Sequence, residues 1–245
     1  MSAEKFLIFD IPVRMNECGP DGFLRQQIWF DYLQHVAAVH AEEMGFGMSA
    51  VRERCLIWVL SRIKLKLEAE PRYDDVVRIE TYPNGADRLF AKRQFILSSA
   101  KTGKRFGAAS SFWLTLDFPS LRPRLPSTVL DLDVSNNLDR EDFFPSLGKL
   151  SVGETGEPAT HAIRASHIDL NDHLNNSYYA EFTSDWLAQK LGKAVRFKEL
   201  QINFNRAMVF GEELRVSGRL DGNAFFVEGT DGASGKNSFH ARGLI

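Results

Sequence analysis

The feature that most constrains the fold is an internal duplication, in which two strand-like segments recur at one spacing. Ser61–Leu67 reads SRIKLKL and Val76–Tyr82 reads VVRIETY, and each alternates apolar with polar residues. Lys198–Phe204 reads KELQINF, and ELRVSGRL follows a turn at Gly211. The copies are in register 137 positions apart (200 − 63 = 137), which aligns Ile63, Leu65, Leu67 and Arg78 with Leu200, Ile202, Phe204 and Arg215. This period predicts two repeated units, each with its two strands adjacent in a hairpin.

Each copy has one helix candidate before these strands and further strands after them. The first helix, at about residues 25–44, contains IWFDYLQHVAAVH, which is apolar around nearly its whole circumference. Such a helix is typically buried on all sides. One enclosed helix wrapped by a curved antiparallel sheet is the hotdog arrangement, so the sequence predicts an α+β double hotdog.

The segment between the copies is rich in proline and in acidic, serine and asparagine residues, for example LDLDVSNNLDRED. This composition favours a crossover linker. We therefore expect an N-terminal hotdog over residues 1–130, a linker over 131–160 and a C-terminal hotdog over 161–245.

Composition excludes several classes of protein. Of the 245 residues, 44% are hydrophobic and 25% are charged, and no apolar run approaches the roughly 20 residues that span a membrane. A formal net charge of −2 provides no global basic field for nucleic acid. The N-terminal MSAEKFLIFDIP has no signal-peptide pattern, so we expect a cytoplasmic location without nucleic-acid or membrane partners.

The two cysteines are the next candidates for chemistry. Cys18 and Cys55 have neither CxxC spacing nor a nearby pair of histidines. They therefore indicate free thiols rather than a disulfide framework or a zinc site. We expect no metal and no cofactor.

The densest polar chemistry lies in HIDLNDHLNNSYYAEF, residues 167–182, just before the second helix candidate. Alternate spacing in an extended loop would point Asp169, Asn171 and His173 to one side. The helix is expected to start near Asn175–Ser177, with Asn175 or Asn176 as its N-cap. The corresponding loop of the first copy, CGPDGFLRQ, has no histidine and no asparagine. The polar constellation therefore exists in one copy only.

The chain resembles the acyl-acyl carrier protein (acyl-ACP) thioesterases over almost its whole length. The resemblance rests on ECGPDG, on LIWVLSRIKLKLEAEPRYDDVVRIETY, on TGKRFGAASSFWLTLD and above all on DLNDHLNN, which matches the family's Asp-x-Asn-x-His-x-Asn-Asn signature. It implies hydrolysis of the thioester that joins a fatty acyl chain to the carrier's phosphopantetheine arm, terminating fatty acid synthesis. It also implies that the C-terminal hotdog is catalytic and that the N-terminal hotdog shapes the acyl cavity.

Carried onto this sequence, the resemblance makes Asp169, Asn171 and His173 the catalytic residues. His173 can act as general base, and Asp169 can orient its imidazole or polarise the water directly, so the identity of the base stays open. Asn171 would position the carbonyl, the water or the imidazole. The first turn of the helix, at Asn175 and Asn176, offers backbone N–H groups and the positive end of the dipole to an oxyanion.

The sequence departs from the plant members, which have a Glu followed by a Cys on the strand after the catalytic helix. Ala207 and Met208 occupy those places here. This favours direct attack by activated water over an acyl-enzyme. Glu181 is a possible assisting acid, although it also belongs to a polar helical stripe with Asp185 and Gln189.

Other residues carry weaker predictions. His167 is interpreted as a loop residue, His35 and His40 as packing residues with local partners, and Trp58 and Trp113 as core or cavity wall. A basic cluster is a possible dock for an acidic carrier protein, although such runs are often solvated faces: Arg88, Lys92, Arg93, Lys101, Lys104 and Arg105. Charge reversal of Arg93 and Arg105 would test this dock.

Two alternatives to a carrier-protein thioesterase remain open at this point. One is an acyl-CoA thioesterase on the same fold, because both substrates share the phosphopantetheine arm. The other is a non-catalytic acyl-binding hotdog protein. A hotdog dehydratase is less favoured, since no second histidine-bearing loop is visible. Acyl chain length is not readable from the sequence, and both a monomer and a homodimer are compatible with it.

Overall fold

The computed structural model describes residues 5–126 and 137–245. The chain divides into two compact units. Unit 1 comprises Met1–Arg25 and Tyr32–Leu147, and unit 2 comprises Gln26–Asp31 and Gly148–Ile245. The expected domain limits at 130 and 161 remain predictions, and the expected linker lies partly outside the described residues. No helix among the described residues is long and apolar enough to span a membrane.

The elements of the two units follow one order along the chain. The helices are α1 (Ile28–Glu43), α2 (Met48–Glu53) and α3 (Asn176–Leu191), with short 3-10 turns at Met15–Glu17 and Ala165–His167. The strands of unit 1 are β1 (Leu7–Pro12), β2 (Leu56–Leu67), β3 (Val76–Asp87), β4 (Phe90–Ser99), β5 (Arg105–Asp117) and β6 (Pro123–Arg124). The strands of unit 2 are β7 (Ala159–Ala162), β8 (Glu199–Phe204), β9 (Glu213–Asp221), β10 (Ala224–Asp231) and β11 (Asn237–Leu244).

Both units have the same antiparallel strand order, which confirms the predicted duplication and double hotdog. In unit 1 the order is β1–β3–β4–β5–β2, with β6 added beside β5. In unit 2 the order is β7–β9–β10–β11–β8. The register repeats as well, because Pro12 pairs with Val76 in unit 1 and Ala162 pairs with Glu213 in unit 2.

The predicted hairpins are wrong, although all four of their strands exist. β2 pairs with β5 and β8 pairs with β11, so neither is the neighbour of the strand that follows it. Alternation identifies a strand and its buried face, but it does not identify the partner strand. The connection after β2 instead runs past the loop that precedes α1, where Leu24 N donates to Pro71 O (3.0 Å).

The helix α1 is less enclosed than its composition predicted. Trp29 and Phe30 have no exposed surface. His35, Ala38 and Glu42, however, are exposed and form one stripe at helical spacing. The expectation of burial on all sides is therefore wrong, because alanine and histidine are compatible with either environment.

The helix α3 packs on the sheet of unit 2. Tyr179 meets the rings of Phe204 and Phe239 edge to face, with centroid distances of 5.3 and 5.1 Å. A Cβ atom at Gly218 would lie 2.9 Å from the Trp186 ring and 2.5 Å from Phe226 O. Glycine at this position is therefore what allows the helix to approach the sheet closely.

The described residues between β6 and β7 form hydrogen bonds with the strands of each unit. In unit 1, Tyr82 donates to Glu141 O (2.8 Å) and Gln94 donates to Asp142 Oδ1 (2.8 Å). In unit 2, Arg219 donates to Val152 O (2.9 Å). The described part of the crossover segment is therefore held by hydrogen bonds to the strands it passes, although its composition resembles that of a flexible linker.

Candidate active site

The polar motif before α3 folds as a tight turn. Ile168 and Leu174 form an antiparallel bridge, which brings the two ends of the segment together. Within it, Asp169 N donates to His173 O (2.8 Å) and Asp172 N donates to Asp169 O (3.1 Å). The Asp169 carboxylate accepts the N–H of Asn171 (2.8 Å), an Asx-type bond that shapes the turn.

The expected extended loop is therefore wrong. Asp172 has a φ of 64°, in the left-handed region, where the chain reverses direction between Asn171 and His173. Alternate spacing no longer determines where the side chains of Asp169, Asn171 and His173 point. Within the described residues, no hydrogen bond joins these three side chains. Asp169 is half-buried, whereas Asn171 and His173 are exposed.

Unit 1 contains the same backbone turn with different side chains. Cys18 and Leu24 form the equivalent bridge, and Gly19 N donates to Phe23 O (2.9 Å). Gly22, with a φ of 77°, takes the place of Asp172. The turn is thus a duplicated backbone feature. Its equivalents of Asp169, Asn171 and His173 are Gly19, Asp21 and Phe23.

The start of α3 is as predicted, with Asn175 as the N-cap. Its side-chain oxygen accepts the N–H of Ser177 (3.0 Å). The N–H of Asn175 donates to His167 O (2.9 Å), and the N–H of Tyr178 donates to Asn175 O (3.1 Å). These bonds attach the first turn of the helix to the residues before the motif, with Asn176 as the first helical residue.

The connection between β8 and β9 lies against the turn. Leu174 N donates to Met208 O (2.8 Å), so the place of the plant cysteine is adjacent to the motif. Met208 is fully buried, and the neighbouring Ala207 is exposed. Neither side chain can supply a nucleophile or a base. Cys18 and Cys55 both belong to unit 1 and are not joined in a disulfide.

An ionic cluster fixes this connection. Arg206 binds the Glu212 carboxylate (3.1 Å for Nη1–Oε2) and lies 3.6 Å from Asp231 Oδ2. The hydrogen bond from Arg206 holds the pKa of Glu212 below its ordinary value. The Ser238 hydroxyl donates to Arg206 O (2.8 Å). This cluster positions Met208 beside the motif.

Glu181, the possible assisting acid, lies in the second turn of α3. Its carboxylate accepts a hydrogen bond from Gln27 Nε2 (3.2 Å), and both residues belong to unit 2. Burial and, to a smaller extent, the charge of Glu181 raise the pKa of Tyr178. The contact with Gln27 could not be predicted from the sequence, because the two residues are far apart along the chain.

His167 supports the turn. Its Nδ1 atom accepts the N–H of Arg164 (3.2 Å), and its ring packs on Tyr178 with a centroid distance of 4.6 Å. Burial, together with Arg164, lowers the pKa of His167 and favours the neutral ring that this bond requires. These contacts agree with its interpretation as a structural residue.

Tyr179 is a residue that sequence reasoning missed. It is buried beneath the site, with its hydroxyl 3.5 Å from Ser238 Oγ, and burial raises its pKa. Its sequence signal is one more aromatic residue on a helix, which does not separate a buried polar contact from ordinary packing.

Two residues of the basic cluster that was expected to bind a carrier protein have little exposed surface. Arg93 is buried, with 5% of its surface exposed. Lys92 forms an ion pair with Asp142, and its side chain is 11% exposed. Arg93 therefore cannot contact a carrier protein, and its charge reversal would not test a docking surface.

Comparison with known proteins identifies the family. The model for the acyl-ACP thioesterase N-terminal domain matches residues 9–131, and the model for the acyl-ACP thioesterase C-terminal domain matches residues 153–235. The chain belongs to the acyl-ACP thioesterase family. The two matches fall on the two copies of the duplication, which agrees with the repeated topology.

Curated relatives come from plants. The chain is 26% identical over 219 residues to an oleoyl-acyl carrier protein thioesterase of Arabidopsis thaliana, covering 83% of this chain and 58% of the relative. It is 28% identical over 212 residues to the oleoyl-acyl carrier protein thioesterase of Coriandrum sativum, covering 79% and 54%. The chain thus spans little more than half the length of these relatives.

Solved structures support the fold. The crystal structure of an acyl-ACP thioesterase from Bacteroides thetaiotaomicron matches with a TM-score of 0.87 and 24% identity, covering 98% of this chain and 97% of that one. The 12:0-ACP thioesterase of Umbellularia californica matches with a TM-score of 0.78 and 18% identity, covering 98% and 93%. These matches confirm the double hotdog.

Proposed function

We propose that this protein hydrolyses the thioester of acyl-acyl carrier protein and releases a free fatty acid, which ends fatty acid synthesis. Family membership supports the reaction class. The observation that carries the assignment is the turn at Asp169–His173, which lies directly before the N-terminus of α3 and whose equivalent in unit 1 has neither a histidine nor an asparagine. In this proposal unit 2 is the catalytic half, and unit 1 binds the acyl chain.

His173 is the general base in the proposed mechanism. An imidazole nitrogen can accept a proton from water, and the His173 side chain is exposed. It takes a proton from a water molecule whose oxygen attacks the thioester carbonyl carbon. The tetrahedral intermediate then breaks its carbon–sulfur bond, and the sulfur takes the proton from His173 and leaves as the pantetheine thiol. The other product is the fatty acid.

Asp169 and Asn171 have positioning roles in the proposed mechanism. Asp169 Oδ1 accepts the Asn171 N–H, so the carboxylate maintains the turn that presents His173. This supports a positioning role for Asp169 rather than that of the base. The amide of Asn171 cannot titrate, and it can bind the carbonyl oxygen or the attacking water.

The developing oxyanion is assigned to the first turn of α3. The positive end of the helix dipole lies at Asn175 and Asn176, where it would stabilise the negative charge that develops on the carbonyl oxygen. Glu181 is the candidate assisting carboxylate, since Gln27 fixes its position one turn further along the helix.

Water attacks directly in this proposal, without an acyl-enzyme. The place of the plant Glu–Cys pair is taken by Ala207 and Met208, which have no titratable group. A covalent intermediate would need a nucleophile beside the turn, and the described residues of unit 2 include no thiol.

The test compares acyl groups of several chain lengths on acyl carrier protein and on coenzyme A, with wild-type protein and His173→Ala. His35→Ala, an exposed histidine of α1, is the matched control. We expect hydrolysis that prefers the carrier and falls by about 10²-fold or more in His173→Ala alone. A preference for coenzyme A would reassign the substrate class. Acyl binding without hydrolysis on either carrier would establish the non-catalytic binder.

A further inference from the structure

A short segment from the first copy of the duplication belongs to unit 2. Gln26–Asp31, at the start of α1, groups with Gly148–Ile245. Two hydrogen bonds hold it there, because Gln26 Nε2 donates to Phe197 O and Gln26 Oε1 accepts the N–H of Phe197, both at 2.8 Å. Gln26 is 5% exposed and Phe197 is 2% exposed. One buried amide therefore binds both backbone polar groups of a residue just before β8.

The next residue, Gln27, directs its side chain to α3. Its Nε2 atom donates to Glu181 Oε2 (3.2 Å), and both side chains are partly buried. The backbone of Gln27 is fixed on both sides, since Gln26 precedes it and Phe30 N donates to Gln27 O (3.0 Å). The amide of Gln27 is therefore held at a defined place beside the Glu181 carboxylate.

Glu181 lies on the part of α3 that faces the candidate site. Side chains of an α-helix lean towards its N-terminus, and residues four apart share a face. Glu181 thus leans towards Ser177 and the end of the turn at Asp169–His173. Burial and, to a smaller extent, the charges of Glu181 and Asp31 raise the pKa of Tyr178. The carboxylates of Glu181 and Asp31 therefore lie near the ring that closes this end of the helix.

The donor that meets Glu181 is a neutral amide. A glutamate side chain has several rotamers, and a hydrogen bond to its charged carboxylate selects among them. The amide of Gln27 does not titrate, so this bond orients the carboxylate without adding a positive charge. A carboxylate held in this way can still accept a hydrogen bond from a water molecule.

The duplication shows that this pairing is specific to one direction. At the offset that aligns the two turns, the counterpart of Gln27 is Ser177 and the counterpart of Glu181 is Asp31. Both helices therefore have an acid at the same place. The long amide, however, faces the acid of α3, the helix that follows the histidine-bearing turn.

We propose that the first copy of the duplication contributes a positioning residue to the thioesterase site. Gln27 holds the Glu181 carboxylate in the orientation that binds the attacking water, and Gln26 holds Gln27 in place. This inference rests on the proposed function, with Glu181 as its assisting carboxylate. It means that the C-terminal copy alone does not contain the complete site.

The experiment measures kcat and KM on acyl-acyl carrier protein for wild type, Gln27→Ala and Gln27→Glu. We expect Gln27→Ala to lower kcat by about fivefold or more and to change KM by less than about twofold. Gln27→Glu keeps the size of the side chain but places a second carboxylate beside Glu181. It should lower kcat further than Gln27→Ala, because like charges repel. A residue that only fills space would give the opposite order.

The same substitutions in a Glu181→Gln background identify the partner. There Gln27→Ala should change kcat by less than about twofold, because the carboxylate that it positions is absent. Gln189→Ala, an exposed glutamine of α3, is the matched control and should behave as wild type. Melting temperatures separate the two glutamines, since Gln26→Ala should lower both stability and kcat, whereas Gln27→Ala should lower chiefly kcat.

The results distinguish this inference from the proposed function. A folded wild type that hydrolyses no acyl-carrier thioester would overturn both. Hydrolysis that depends on His173 but is unchanged in Gln27→Ala would overturn the inference alone. It is also overturned if Gln27→Glu is as active as wild type, if the loss in Gln27→Ala persists in the Glu181→Gln background, or if Gln26→Ala matches wild type in stability and kcat.

Discussion

At the scale of single residues, Asp172 determines the shape of the candidate site. Its positive φ of 64° places it where side chains are disfavoured, and the equivalent residue of unit 1 is Gly22 with a φ of 77°. Aspartate and asparagine tolerate this conformation better than other residues with a Cβ atom. The second copy can therefore keep the turn of the first while adding another polar side chain beside His173.

We predict that Asp172→Val destabilises the protein, whereas Asp172→Gly does not. A β-branched residue at positive φ should cost about 1 kcal/mol or more. Urea unfolding measures both, and Leu170→Val in the same turn is the control because Leu170 does not have a positive φ. Equal stability of Asp172→Val and wild type would mean that the turn does not need this conformation.

At the scale of elements, the connection between β8 and β9 links the ionic cluster to the motif. Arg206, Glu212 and Asp231 hold it from one side, and Leu174 binds Met208 O on the other. The connection between β8 and β9 can reach the turn because these two strands are not neighbours in the sheet. The mispredicted hairpin is thus the feature that brings residues 206–208 to the turn.

We predict that Glu212 makes stability depend on pH in the acid range. Its folded pKa lies below its ordinary value, chiefly through the hydrogen bond from Arg206. The carboxylate therefore stabilises the fold above the unfolded pKa, and this contribution disappears as the pH falls through the folded pKa. The melting temperature of Glu212→Gln should be lower than that of wild type at neutral pH.

The two melting curves should converge as the pH is lowered below the ordinary range of a glutamate. Glu213→Gln is the matched control, because Glu213 is the adjacent residue and its contact with Arg215 is exposed. A difference that stays constant down to acid pH would exclude the ionised pair as its cause.

At the scale of the whole molecule, the two units have the same topology but different side chains in the turn before the helix. The strand order, the register at the edge strands and the turn before each helix all repeat. Unit 1 carries Gly19, Asp21 and Phe23 where unit 2 carries Asp169, Asn171 and His173. The duplicated backbone therefore leaves unit 1 without a second copy of the proposed site.

We predict that equivalent substitutions in the two turns differ in their effect on turnover. Asn171→Ala should reduce kcat/KM by about tenfold or more, because it removes the amide that positions carbonyl or water. Asp21→Ala should leave turnover within about twofold of wild type, since the Asp21 carboxylate accepts the local backbone N–H of Phe23 (3.1 Å) in a turn that carries no histidine. Comparable losses would argue that both turns take part in catalysis.

The sequence by itself determined the duplication, the strands, the start of α3 and the family motif. These features are local, because alternation, caps and spacing are read along the chain. The reversal at Asp172 was not predictable, because an aspartate is compatible with both extended and left-handed backbone.

Only the tertiary structure determined which strands pair and which distant residues contact one another. Sequence spacing does not state that β2 lies beside β5, that Met208 reaches Leu174, or that Gln27 reaches Glu181. It also did not separate Arg93 from its neighbours, since adjacent residues of a strand point to opposite faces and only packing determines which face is buried. The structure places Arg93, which was expected at the surface, in the interior of unit 1 with 5% of its surface exposed.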